Sequence, residues 1–407
     1  MKKIFKALIC ACIALISMLS LLACNKGDGE VVDNSNSKQI GTHYMVNNGL
    51  VDLAANGVVT VVDKSTAIAY SIYLASEDKL GESDQLVKLT KFNVLQPANA
   101  TWVTVFDRDK DFDGQRISEG TVVSLDSNYL RVYAVNMVDY KYYYKDVNKK
   151  TLEVGELNEL KFKTSLDSEP IVFSMDNING YLSSQGHQAF KHLMFGSSIV
   201  TVDGKFYANF CGGEDMDNFM FMQSTDCETW NCVSVVKHKV NYEAVLTYHD
   251  NKFWTYCRNG FTKPTTETRE NLLYSEDGGK TWKQSNLALT SSDTRPALFI
   301  YQGELYLAYS SPLDVEYSTI RPWRCNIHVG KIVSNNGVET FEEVVYKESK
   351  YGIVYYSLFD YYGKMIMIYS SGELHPEEGT MGGYTQGKDC LMYTVLKQQD
   401  PILKIKA

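Results

Sequence analysis

Apolar and polar positions along this chain change over in short runs of strand length. Between residues 43 and 167 the runs GVVTVV, AIAYSIYLA, TWVTVF, TVVSL, YLRVYAVNMV, YKYYY and LKFKT are separated by turn residues. β-Branched and aromatic side chains dominate these runs, and no interval between them keeps a 3.6-residue period, so they predict strands. From about residue 168 the pattern repeats itself. SSIVTVDGKFYANF, AVLTYHDNKFWTYCR, ALFIYQGELYLAYS and YSLFDYYGKMIMIYS each join an apolar strand to an aromatic-rich one. The turns fall at 203, 250, 302 and 362, spacings of 47, 52 and 60 residues.

Both halves are therefore all-β, but they predict different architectures. About seven short strands over 43–167 predict an N-terminal β-sandwich of immunoglobulin or fibronectin type III kind. Strand-built repeats of about fifty residues predict the blades of a β-propeller over 168–407, with five or six blades. Radial packing of this kind leaves few exposed strand edges.

The stretch YSEDGGKTW, residues 274–282, sharpens the second expectation. Asp-Gly and Gly-Gly let the backbone reach positive φ, so a tight turn is expected there. Ser275, Asp277, Gly279, Thr281 and Trp282 resemble the Asp-box of sialidases and related propellers at every defined position. STDCETW, residues 224–230, resembles a degenerate copy that is one residue short. The resemblance implies a sialidase-like propeller, with the Asp-box on the blade's outer turn and away from any active centre.

Sialic acid carries a carboxylate on the carbon that is attacked, which calls for planar guanidinium partners and repels a carboxylate nucleophile. Sialidases use a Tyr activated by a Glu instead. In NYEAVLTYHDNKFWTYCR, Glu243 precedes one strand and Arg258 ends the next, so a hairpin brings both to one rim. The resemblance implies that Glu243 serves the nucleophile and that Arg258 belongs to a carboxylate clamp. RPWRCNIHVGKI resembles the strand carrying a further clamp arginine, matching Arg324 with Arg321 as alternative. YGIVYYSLFDYYGKMIMIYSSG resembles the nucleophile's blade, matching Tyr356 with Tyr355 as its rival.

The chain departs from the family in its first blade, because it has no Arg-Ile-Pro tripeptide. QAFKHLMFGSSIVTV offers Lys191 at that place, or His187 and His192. Beyond it, GGEDMDNF supplies Asp215 as the acid/base, with Asp217 as alternate. DTRPALF adds Arg295 at the head of a strand, where a second guanidinium can face the pocket. The resemblance thus implies an exo-sialidase-like glycoside hydrolase acting on sialylated or other acidic-sugar glycans. The alternative is a glycan-binding protein that does not cut.

The chain's ends set the compartment. Lys2, Lys3 and Lys6 precede the apolar run ALICACIALISMLSLL, a secretory signal in length and flanks. LLAC resembles the lipobox of bacterial lipoproteins, which implies a signal peptide over 1–23 and a lipid on Cys24. The polar stretch 24–42 reads as a tether. Asn25 follows that cysteine where Asp would favour inner-membrane retention, so the expected location is the bacterial outer membrane, surface-exposed or periplasmic. Membrane contact is expected through the anchor alone.

Net charge is −9 with a pI near 5.4, and no basic cluster occurs, which argues against a nucleic-acid partner. Cys211, Cys227, Cys232, Cys257, Cys325 and Cys390 match no metal-ligand spacing. They are expected to be buried free thiols. DRDKDFDGQ, residues 107–115, lacks the ligand spacing of a calcium loop and reads as a solvated acidic turn. No metal or cofactor is expected.

Overall fold

The computed structural model describes residues 43–45, 56–75, 86–165, 167–196, 198–212, 218–238, 242–258, 268–291, 294–311, 326–348, 353–371 and 390–397. Its strands form six sheets. Sheet I contains β2 (Asn56–Asp63), β3 (Ile68–Ala75), β4 (Leu86–Asn93) and β5 (Gln96–Asp107). Sheet II contains β6 (Ile117–Ser124), β7 (Tyr129–Asn136), β8 (Tyr142–Asn148) and β9 (Asn158–Glu159). Sheet III is built on β14 (Lys205–Cys211), β15 (Asn218–Ser224) and β16 (Thr229–Lys237). Its inner side adds β12 (Met194–Phe195) and β13 (Val200–Val202); its outer edge adds β10 (Lys161–Lys163) and β11 (Ile171–Val172). Sheet IV contains β17 (Tyr242–His249), β18 (Lys252–Arg258), β19 (Leu272–Ser275) and β20 (Lys283–Gln284). Sheet V contains β21 (Ala297–Tyr301), β22 (Glu304–Tyr309), β23 (Asn326–Asn335) and β24 (Val338–Glu348). Sheet VI joins β25 (Val354–Tyr361), β26 (Lys364–Ser371) and β27 (Cys390–Leu396) to β1 (His43–Met45) from the other end of the chain.

The sheets stand in a ring. Strand β25 touches β2, β2 touches β6, and β6 touches β12; β14 touches β17, β17 touches β21, and β21 returns to β25. Six apolar cores fill the seams, one between each neighbouring pair of sheets. The expected N-terminal sandwich is therefore corrected. Residues 43–167 form one closing strand, two sheets of the same ring and the edge strand β10 of a third, within a compact unit running from Gln39 to Ala407. Sheets I and II do share a core, around Ile72, Leu89, Ile117 and Val132, as sandwich sheets would. Each is covered on its other face as well, sheet I by Ile366 and Tyr393 of sheet VI and sheet II by Phe195 and Phe210 of sheet III. A sandwich would leave those faces in water. No boundary at 167/168 separates two domains.

The four turns that revealed the repeat are two-residue hairpins between inner and second strands. Asp203–Gly204, Asp250–Asn251, Gln302–Gly303 and Tyr362–Gly363 all have positive φ at both positions. That pairing matches the twist of the flanking strands.

The turn between β19 and the outer strand β20 is a dense hydrogen-bond knot. Asp277 accepts from Thr281 Oγ1 at 2.6 Å, from Thr281 N at 2.9 Å and from Ser275 Oγ at 2.9 Å. Ser275 Oγ also accepts from Gly279 N at 2.8 Å. Trp282 Nε1 donates to Gly279 O at 3.1 Å, and its ring packs on Phe219 and Phe221 of sheet III. The turn thus fastens sheet IV to sheet III. Ser224 and Asp226 repeat the scheme one sheet earlier, with buried Cys227 at φ +60° in the left-handed position and Trp230 fully buried.

Two expectations follow from this knot. Gly279 has φ +87°, and a Cβ there would stand 1.9 Å from Phe221 Cε1. Gly279→Ala is expected to cost about 1–3 kcal/mol, through overpacking and backbone strain, read from the urea midpoint. The Thr281 hydroxyl and amide hold the Asp277 carboxyl down at about 2. Its stabilising effect is present above the unfolded carboxyl's value of about 4 and is lost as pH falls towards 2. Asp277→Asn should therefore flatten the loss of thermal stability between pH 4 and pH 2; an unchanged acid limb would count against the assignment.

The acidic stretch 107–115 uses its carboxylates locally. Asp107 caps the short helix α1 (Arg108–Asp111) by accepting from Asp109 N, and Asp111 pairs with Lys145 at 2.7 Å. Cys211, Cys227 and Cys257 are buried free thiols, and Cys232 is a half-buried one.

Candidate functional site

Each inner strand begins at the same face of the ring, opposite the knotted turns. At that end β2, β6, β17 and β25 share a local irregularity in register, between Asn56 and Val59, Glu119 and Val122, Tyr242 and Val245, and Val354 and Ser357. A bulge there re-aims side chains towards the axis. The first bulged residue is Gly57 in β2 and Gly120 in β6. In β17 and β25 it is Glu243 and Tyr355, held at φ +39° and +48°. A non-glycine residue there carries about 1–3 kcal/mol of strain, which the surrounding packing has to hold in place.

Glu243 is 3 % exposed and its carboxylate is hydrogen-bonded to Arg258 Nη1. The β17–β18 hairpin brings them together as its length predicts, with Tyr242 paired to Arg258 across the strands. Beside them Ala244 N donates to Cys211 Sγ at 3.2 Å, and Asn209 Nδ2 donates to Ala244 O at 3.0 Å. Burial pushes the Cys211 thiol up to about 12, so it stays a thiol at neutral pH.

Arg295 precedes β21 and is also buried. Its Nη2 donates to Val58 O at 3.0 Å, and its guanidinium lies 5.5 Å over the Tyr355 ring. Tyr356 is 2 % exposed, and its hydroxyl lies 3.4 Å from Ser310 Oγ. Burial raises the Tyr356 hydroxyl well above a phenol's ordinary value, while the Arg295 and Arg258 charges act in the opposite direction. Glu243, Arg258, Arg295 and Tyr356 thus converge from three sheets on one end of the ring.

One expected contact is absent. Glu243 and Tyr356 do not hydrogen-bond among the described residues; Glu243 binds Arg258, and Tyr356 faces Ser310. An anion enclosed at low dielectric gains more from a guanidinium than from a neutral phenol. Lys191 lies on the same rim, exposed, with its amide donating to Gly212 O at 2.9 Å. Its neighbour His192 bonds through Nδ1 with Tyr140 OH at 2.8 Å, and burial and the Lys191 charge both lower the imidazole's pKa. Among the described residues no hydrogen bond joins His187 to this group; its amide donates to Leu182 O at 2.9 Å. Asp215, Asp217, Arg321 and Arg324 lie outside the described residues.

Sequence reasoning missed two residues here. Arg116 directly precedes the inner strand β6, in the tripeptide Arg116-Ile117-Ser118, and its charge reaches Tyr140. The signal was legible, but it lay in the half assigned to a sandwich. Ser310 was overlooked because a serine at a strand end is unremarkable without its partner.

No family model matches this chain, and no curated protein does. Among solved structures it is similar to Trypanosoma rangeli sialidase, with a TM-score of 0.52 and 13% identity over 84% of this chain and 54% of that one. The same enzyme with the inhibitor DANA gives a TM-score of 0.56 at 12% identity, covering 84% and 55%. Its complex with sialic acid gives 0.53 at 11%, covering 88% and 59%. The fold is that of a sialidase propeller. The chain spans little more than half the length of these enzymes.

Proposed function

We propose that this chain is a glycoside hydrolase that releases terminal sialic or related acidic sugars from glycans. The observation that carries the reading is the convergence of buried Glu243, Arg258, Arg295 and Tyr356 on one end of the inner strands. Arg258 and Arg295, with Arg324, and with Arg116 and Lys191 at the rim, hold the substrate carboxylate. That carboxylate displaces Glu243 from Arg258, which frees Glu243 to take the phenolic proton. The Tyr356 oxygen bonds to the anomeric carbon as the glycosidic C–O bond breaks, and Asp215 protonates the leaving oxygen. Asp215 then takes a proton from water, whose oxygen displaces Tyr356. Tyr356 is preferred to Tyr355 because both guanidinium groups act on its hydroxyl, whereas the Tyr355 ring lies beneath Arg295.

A second reading, a glycan-binding protein without hydrolysis, is favoured by the engagement of Glu243 with Arg258. Hydrolysis of a fluorogenic sialoside by the chain from Gly41 onward, beside binding to a glycan array, separates them. Turnover supports the hydrolase; array binding with no turnover supports the second reading, and neither overturns both. In either case we place the protein at the bacterial outer membrane through a lipid on Cys24. Mass spectrometry of the native protein tests this.

A further inference from the structure

Ser310 and Tyr356 meet across the seam between sheets V and VI. Ser310 follows the last residue of β22, and the backbone beside it is fixed by Asn326, which accepts from Ser311 N at 2.9 Å and donates to Ser311 O at 2.8 Å. Among the described residues, neither the Ser310 nor the Tyr356 hydroxyl has another hydrogen-bond partner. Both side chains are more than nine-tenths buried.

Among the described residues, the charged and titratable groups that act most strongly on the Tyr356 hydroxyl come from three places. They are Tyr309 at the end of β22, Arg295 ahead of β21, and Arg258 and Tyr256 on β18. Glu243 is turned to Arg258. Ser310 Oγ is therefore the hydroxyl that meets the phenolic oxygen; either group can donate while both are protonated, and only Ser310 can donate once the phenol is ionised.

We propose that Ser310 is the positioning residue of Tyr356, donating to its oxygen as negative charge develops there. This rests on the reading of Tyr356 as the nucleophile. At 3.4 Å the contact is longer than the roughly 2.7 Å of a full O–H···O bond, whereas bonds to an ionised oxygen shorten to about 2.5–2.7 Å. On this proposal the bond is weak to the phenol and tightens onto the phenolate, and only such a difference speeds the chemical step. The proton leaves for Glu243, and Ser310 keeps its own.

The test uses Ser310→Ala and Ser310→Thr in the full chain. Ser310→Ala is expected to lower kcat for a fluorogenic sialoside about ten- to a hundredfold, and to move the ascending limb of kcat towards higher pH. Ser310→Thr, which keeps the hydroxyl, should restore both. A loss of packing alone would leave the pH profile in place. A second readout needs no turnover: 3,5-difluorotyrosine is placed at 356 and its ionisation is followed by fluorine NMR. Its titration should move to higher pH in Ser310→Ala and return in Ser310→Thr. Active protein with an unchanged profile overturns the proposal, and so does an unmoved fluorine titration. If the parent chain turns nothing over, the hydrolase reading fails by itself, and the fluorine titration alone decides the role of Ser310.

Discussion

Arg258→Met is expected to destabilise the ring by about 3–5 kcal/mol, because it leaves the Glu243 carboxylate buried without its cation. The two side chains are 0 % and 3 % exposed, so solvent screens little of the loss. Removing both partners is a different perturbation. Glu243→Leu with Arg258→Met replaces an ion pair by apolar volume, and such exchanges are often neutral in buried sites. The double variant should therefore recover most of the stability lost in the single one, in chemical denaturation followed by intrinsic fluorescence. It should also fail to bind acidic sugars. A single variant that loses less than about 1 kcal/mol would behave like a surface pair, and would contradict the enclosed pair described above.

The second large effect is on turnover. Tyr356→Phe removes one oxygen and leaves the ring in the core it shares with Tyr369, Met367 and Ile327 in the seam between sheets V and VI. Stability should change little, while hydrolysis of a fluorogenic sialoside should fall by more than the 10²–10⁴-fold expected for losing an acid or base such as Glu243. Tyr355→Phe keeps the ring beneath Arg295 and is expected to leave most activity intact. If Tyr355→Phe abolished turnover and Tyr356→Phe did not, the two tyrosines would exchange roles.

Much of the ring was legible in the chain, and the reason lies in its turns. Residue pairs such as Asp203–Gly204 and Gln302–Gly303 sit in two-residue hairpins, which leave a recurrent mark in sequence. Sheets I and II lack that mark. Their inner hairpins turn through the longer segments 64–67 and 125–128, so no period emerged from them. Another signal was present and unused. AIAYSIYLA and YLRVYAVN are mostly apolar and do not alternate with polar residues, and β3 and β7 are buried along almost their whole length. A half-exposed sandwich strand alternates instead. The pairing of β1 with β27 was beyond reach, since three residues from one end of the chain carry no pattern that names the other.

The site divides similarly. Glu243 and Arg258 were legible because hairpin length dictates which residues meet. Arg295 was legible as a charge at the head of a strand. Which tyrosine faces the guanidinium groups, and that Glu243 would choose Arg258 over the phenol, depend on bulge geometry and burial. Those are properties of the assembled ring, and the strands that set them come from distant parts of the chain.

The central claim is that Tyr356 is an oxygen nucleophile at the axial end of the ring, and covalent trapping tests it most directly. Incubation with 2,3-difluorosialic acid should form a bond from the Tyr356 oxygen to C2. Fluoride leaves C2 as that bond forms, and the phenolic proton passes to Glu243. Peptide mass spectrometry is expected to find one sugar on Tyr356 in the parent chain and none in Tyr356→Phe. An unmodified protein, or an adduct that survives in Tyr356→Phe, would contradict the account.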